Sequence, residues 1–337
     1  MPYPVFDLHC DTADRLAWQS LPAALREALN MDTYGPGDEK DPAGITQLAC
    51  NHGHISLDKV GQLSWAQCFA CYIPDELTPA QAHAFFDHVS AYLGEQVERN
   101  APRIVLAQSA ADIRPALHAR HTVAIRTIEN ATLFAEDPRL VAAASEQGVL
   151  MASLSWNAPG PLASGHDAPE RGLTAAGRAI IAEMEREHMV LDVSHLNDRC
   201  FAEAASLTER PFVASHSNSR SICGHRRNLT DEQFAEIRDR GGIVGLNFAD
   251  IFLSDAAPTT PPSFDDISSH IDHWLELGGE DVIALGSDFD GCDTPPVIET
   301  AAEMPAFQQK LEARFGGRLT AKLCAENALT FFERWAR

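Results

Sequence analysis

Long apolar runs are missing from this chain. No stretch reaches the roughly 18 apolar residues that a membrane-spanning helix needs, which excludes one. The opening MPYPVFDLHCDT has neither the basic nor the apolar region of a secretory signal, so a cytoplasmic location is expected. Cysteine is sparse. Eight are scattered through 337 residues, too few for a disulfide framework and in keeping with a reducing compartment. Cys68-x-x-Cys71 has no second such pair and lies in the apolar run 65–73, so both thiols are read as buried structural residues. Positive charge is scarce as well. Lys and Arg total 26 against 48 Asp and Glu, a formal net charge of −22. That balance argues against nucleic acid or an anionic membrane as partner, since both require clustered cations. No Gly-x-Gly-x-x-Gly or phosphate loop follows a strand, and no Gly-x-Ser-x-Gly elbow occurs, which removes common nucleotide-binding and serine-hydrolase readings.

The remaining composition is that of a globular protein. At 45% apolar and 22% charged residues, a real core can form. Short β-type runs alternate with helical ones. The strand candidates are 5–11, 65–72, 122–128, 149–155, 189–195, 212–216, 243–248 and 282–288, most of them nearly continuously apolar, as strands covered on both faces should be. Helical segments fall between them. Thr78 and Thr230 are placed to cap helices at 79–99 and 231–240, and Thr174 caps one within 173–188. A helix at 264–277 stops at Gly278-Gly279, and the tail 321–335 reads as a last helix with Thr320 as its cap. Eight strands, each followed by helix, predict a (β/α)8 TIM barrel over residues 1–337 as one domain, with an insertion at roughly 18–64 after the first strand, near the barrel mouth.

Polar residues of one kind recur at the C-terminal ends of these strands. His9-x-Asp11 closes the first, Glu129 follows the third, His195 and His216 end the fifth and sixth, and Asp288 with Asp290 follows the last. Each alone is weak evidence, because a strand-end histidine is commonly a satisfied structural residue and Asp in a Gly-rich turn is ordinary turn chemistry. In a barrel, however, all strand C-termini meet at one mouth, where active sites are built. Three His with several carboxylates form a donor set suited to Zn²⁺ and numerous enough for two ions. Among the other histidines, His118/His121 and His270/His273 read as surface residues, His83 and His88 as a polar helix face, His188 as a helix end and His225 as a loop residue. His52, His54 and His166 lie in segments able to reach substrate.

With those residues in place, the chain resembles the membrane (renal-type) dipeptidase family, peptidase family M19, among the amidohydrolase-type metal-dependent barrels. The matching segments are Asp7-Leu-His-Cys-Asp11, Ile128-Glu129, Gly172-Leu-Thr174, Leu191-Asp-Val-Ser-His195, Ser215-His-Ser217, Arg226-Arg-Asn-Leu-Thr-Asp231 and Gly286-Ser-Asp-Phe-Asp-Gly291. The resemblance implies two zinc ions per chain. One would be held by His9 and Asp11, the other by His195 and His216, with Glu129 between them. It also implies Asp288 as the acid/base residue and Arg227 as the grip on substrate. Members of the mammalian type carry a substrate-contacting histidine in a Leu-Thr-His pattern after the fourth strand. Here the segment reads Leu154-Ser-Trp-Asn157, so Trp156 stands in that place and should make the substrate pocket narrower and more apolar there.

The expected activity is zinc-dependent hydrolysis of dipeptides with a free C-terminal carboxylate, by attack of a metal-bridging hydroxide. Whether a C-terminal D-residue is accepted stays open, and a homodimer is one assembly open to the chain. Competing readings are a deaminase or esterase on the same barrel, or a metal-binding protein without catalysis. The relatives of the former often bridge their metals with a carboxylated lysine. Here lysines occur only at 40, 59, 310 and 322, none at a strand end, which favours Glu129 as the bridge.

Overall fold

A computed structural model describes residues 2–30, 45–257 and 259–337. Nine parallel strands run in chain order: β1 (Val5–Cys10), β2 (Trp65–Tyr72), β3 (Ile104–Leu106), β4 (Thr122–Glu129), β5 (Val149–Ser153), β6 (Val190–Asp192), β7 (Val213–Ala214), β8 (Ile243–Leu246) and β9 (Ile283–Leu285). They are ordered β2-β1-β9-β8-β7-β6-β5-β4-β3, and β2 also pairs with β4 along its length, so eight of them close into a barrel. The strands are buried on both faces because helices cover the outside, which explains their continuous apolar runs.

The ninth strand was not expected. β3 pairs with the first three residues of β4, and β5 with Arg126–Ile128 further along, so both share the edge that β2 does not use. Three residues, Ile104-Val105-Leu106, are too short a run to register as a strand in the sequence. Six predicted strands also stop early, β6 at Asp192 and β9 at Leu285 by three residues each. The backbone leaves extended geometry at His195 (φ 69°) and Asp288 (φ 61°), both in the left-handed region.

Local sequence chemistry accounts for the helices. Thr78 and Gln81 form a capping box at the start of the helix Pro79–Arg99, whose buried face includes Ala82, Phe85, Phe86, Val89, Leu93 and Val97, the i, i+3, i+4, i+7 spacing of an amphipathic helix. Thr230 and Gln233 do the same for Asp231–Asp239, and Thr174 caps Ala175–Arg186. The tail differs from expectation. Its helix begins at Gly317, passes through a π turn at Lys322–Glu326 and continues as Asn327–Trp335, while the Thr320 hydroxyl donates to the Gly316 carbonyl within the first turn and caps nothing. Of the inserted segment, 31–44 and with it Lys40 lie outside the described residues. The part at 45–64 is pinned to the barrel by Asp290, whose carboxylate accepts from the amides of His54 (2.5 Å) and Ile55 (3.4 Å) and from the Thr12 hydroxyl (2.5 Å). All eight cysteines are unpaired; Cys68 and Cys71 are buried and belong to different apolar clusters, as odd spacing on a strand dictates.

Candidate active site and metal centre

The loops after the strands surround a cavity of about 710 Å³. At and just beneath its floor is a cluster of three imidazoles and three carboxylates, of which Asp11, Glu129, His195 and Asp288 line the cavity. His9 and Asp11 arrive at the end of β1, Glu129 at the end of β4, His195 and His216 just beyond β6 and β7, and Asp288 just beyond β9. His9 Nε2 lies 3.5 Å from Asp11 Oδ2, 3.6 Å from Glu129 Oε2 and 3.9 Å from Asp288 Oδ1. The other oxygen of Glu129, Oε1, lies 2.6 Å from His195 Nε2 and 3.7 Å from His216 Nε2. The two oxygens of one carboxylate are thus divided between two histidine groups. A Cβ at position 291 would sit 1.9 Å from Asp11 Oδ2 and 2.5 Å from Asp288 Oδ1, so only glycine lets the β9 loop come this close.

The hydrogen bonds behind the cluster fix which nitrogens face inward. His195 Nδ1 donates to Asn157 Oδ1 (3.0 Å). His216 Nδ1 donates to Ser215 Oγ (2.7 Å), whose own proton goes to Asp192. Both Nε2 atoms therefore carry lone pairs. These lone pairs lie 2.9 Å apart and also face Glu129 Oε1. Three acceptors at such distances repel one another unless a cation or a shared proton lies among them. Buried His9 Nε2 and Asp11 Oδ1 also lack hydrogen-bond partners. This donor set fits hard or borderline divalent ions, and the Asn157 and Ser215 contacts are of the kind that orient metal-binding imidazoles.

The electrostatics agree. Burial, then the neighbouring positive charges of Arg227 and His9, push His195 and His216 well below the ordinary histidine range, keeping them neutral donors. Burial opposes a charge on His9, but Asp11, Glu129 and Asp288 outweigh it and raise its pKa to about 10. Burial raises Glu129 and Asp11, against the pull of His9. Burial also raises Asp288 to about 7, against His9 and with help from Asp11 and Glu129. Its Oδ2 is held by Asn247 Nδ2 at 3.0 Å.

Arg227, in the long loop after β7, is buried with its guanidinium 5.4 Å from the Phe252 ring centre, and its Nε has no partner. Arg226 beside it is exposed. Trp156 lines the cavity, its ring 5.0 Å from Tyr72 and 6.3 Å from His195. His166 also lines the cavity, whereas His52 and His54 do not; the His54 ring instead accepts from the Asp290 amide at 2.9 Å. Asp290 is spent on holding the inserted segment. His270, read as a surface residue, is fully buried: it accepts from the Ser219 amide and donates to the Leu253 carbonyl, tying two mouth loops together. Sequence reasoning passed over Asp14, Asn157 and Asp192. Each stood within three residues of a named ligand or of Trp156, and that proximity was the available signal.

A family model described as membrane dipeptidase (peptidase family M19) matches residues 2–336. The chain belongs to this family. A dipeptidase of known structure, described as a metallopeptidase of family M19, superposes with a TM-score of 0.85 at 30% identity, covering 99% of each chain. A metallopeptidase from Rhodobacter sphaeroides, solved with a phosphinate mimic of the dipeptide L-Ala-D-Ala, gives 0.84 at 29% identity, covering 99% of this chain and 100% of that one. An uncharacterised Klebsiella pneumoniae protein encoded in the pqqA 5′ region is 36% identical over 231 residues, 66% of this chain and 85% of its own. The M19 chain is a metal-dependent hydrolase of dipeptides on a (β/α)8 barrel. Among the described residues no helix is long and apolar enough to cross a membrane.

Proposed function

We propose that this M19 chain is a zinc dipeptidase with two ions per chain, one held by His9 and Asp11, the other by His195 and His216, and both touched by Glu129. The observation that carries this reading is the division of the Glu129 oxygens between His9 on one side and His195 with His216 on the other. Ions bound there would lower the pKa of water and polarise the scissile carbonyl. The chain's own groups do the rest. Asp288, with a pKa near neutrality, takes the proton of the attacking water and delivers it to the leaving nitrogen, the step an amide cannot skip. Buried Arg227 lines the cavity, and its guanidinium meets the substrate's C-terminal carboxylate. Trp156 and Phe252 flank the bound peptide and exclude water. A C-terminal D-residue is part of the proposal, supported by the L-Ala-D-Ala mimic in the Rhodobacter neighbour.

No lysine among the described residues lines the cavity, which disfavours barrels built on a carboxylated lysine. The presence of Asp288 beside the ligand set disfavours a metal-binding protein without catalysis. The test is a panel of dipeptides, their C-terminal amides, simple esters and aminated bases, assayed with zinc-loaded protein. Hydrolysis confined to dipeptides with a free carboxylate supports the proposal; turnover of the esters or bases with inert dipeptides overturns it.

A further inference from the structure

The helix Thr12–Ala17 that follows β1 carries a second carboxylate into the cavity. Asp11 precedes its first residue and Asp14 lies three positions on, so the two share one face. Asp14 is 4% exposed and lines the cavity. Its Oδ2 accepts from the Tyr72 amide at 2.6 Å, and its Oδ1 is buried with no hydrogen-bond partner. A carboxylate removed from water and satisfied on one oxygen is costly, and such groups are normally paired. Arg15 lines the same cavity, but sits about 100° further round the helix.

Around Asp14 the wall is aromatic. Trp18, Tyr72 and Trp156 line this side, and the Tyr72 and Trp156 rings meet edge-on at 5.0 Å. A buried carboxylate among ring faces is the chemistry that takes an ammonium or guanidinium on an apolar stem, through a charge-assisted hydrogen bond and cation–π contact. The wall therefore combines the apolar ring of Trp156 with a buried carboxyl group. Its place in the barrel decides which part of the substrate it meets. In the closed order of eight strands, β2, which ends at Tyr72, lies opposite β7, whose following loop carries Arg227. A dipeptide with its carboxylate on Arg227 and its peptide bond over Glu129 and His195 points its N-terminal residue across the mouth at Asp14.

We propose that Asp14, with Trp18, Tyr72 and Trp156, forms a subsite for a cationic side chain on the N-terminal residue of the substrate, so that lysyl and arginyl dipeptides are favoured. This rests on the dipeptidase reading above. The experiment compares kcat/KM for Lys-Ala and norleucyl-Ala, which share the α-amine and the stem and differ in the terminal charge. Wild type should favour Lys-Ala by roughly 10- to 100-fold, the worth of one charge-assisted hydrogen bond. Asp14→Asn should erase that preference, with little change on norleucyl-Ala and unchanged zinc content. Its melting temperature should change little, because the amide can still accept from Tyr72 and nearly matches in shape a carboxyl that burial, with Asp11, already holds well above the usual carboxylate range. Equal rates on the two peptides in wild type, or equal losses on both in the variant, overturn the subsite and leave the dipeptidase reading standing. If wild type cleaves neither peptide nor any other dipeptide, that reading falls and takes the subsite with it.

Discussion

Replacing Asp288 by asparagine separates proton transfer from everything else the residue does. The exchange is nearly isosteric, and asparagine tolerates the left-handed backbone (φ 61°) that this position requires. The new amide's oxygen can still accept from Asn247 Nδ2, now 3.0 Å from Oδ2. The variant loses the ability to take a proton from water and pass it to the leaving nitrogen. A positioned acid/base group is worth ~10²–10⁴ in rate, or about 3–5 kcal/mol of barrier. The variant also relieves crowding, since Asp288 is one of three carboxylates within 3.9 Å of His9 Nε2. Folding should therefore not suffer. The assay is kcat and kcat/KM from pH 5 to 9 on protein whose zinc content has been measured in each preparation. A base must be deprotonated to act, so wild-type activity should fall as pH drops through the Asp288 pKa, about 7 from the protein's own groups and lower beside bound cations. In Asp288→Asn that acidic limb should vanish along with most of the turnover. Near-normal kcat, or a loss matched step for step by lost zinc, would refute the role given to this residue.

Three further outcomes are expected. Arg227→Met should raise KM for dipeptides with a free C-terminus and hardly affect a C-terminal amide; equal losses on both would assign the buried guanidinium to the fold. Trp156→Ala should change the order in which a series of Xaa-Ala and Xaa-D-Ala dipeptides is preferred, by ~1–3 kcal/mol per substrate, and an unchanged ranking would remove this ring from the substrate pocket. Burial holds His270 near pKa 4, well under its ordinary 6.5. The unfolded chain takes up that proton first as pH falls, so the stability tied to neutral His270 is complete above 6.5 and drains between 6.5 and 4, by about 3 kcal/mol at most. Denaturant midpoints across that range should flatten in His270→Gln, and parallel curves would argue otherwise.

The barrel was legible because strands covered on both faces must be apolar throughout, and eight such runs separated by capped helices allow few other arrangements. The ligand cluster was legible for a related reason: His9, Asp11, Glu129, His195, His216 and Asp288 each interrupt an apolar run at the same end. Features that depend on tertiary approach were not. The three-residue β3 exists because β4 leaves an edge open. The Asn157 and Asp192–Ser215 contacts that fix the imidazole tautomers join segments far apart in sequence. His270 follows a surface-like i, i+3 pattern with His273, yet faces the two loops it joins. Asp14 carries no mark in the sequence beyond its spacing from Asp11, and only the fold shows that its helical turn lines the cavity.

The two-ion reading of the cluster is tested most directly by adding zinc back to chelator-treated protein while following hydrolysis of a dipeptide. Five ligands divided by Glu129 predict activity that climbs until two equivalents per chain are bound and then levels off. A plateau at one equivalent, or no hydrolysis at any loading, would mean that the division of the Glu129 oxygens serves some other purpose.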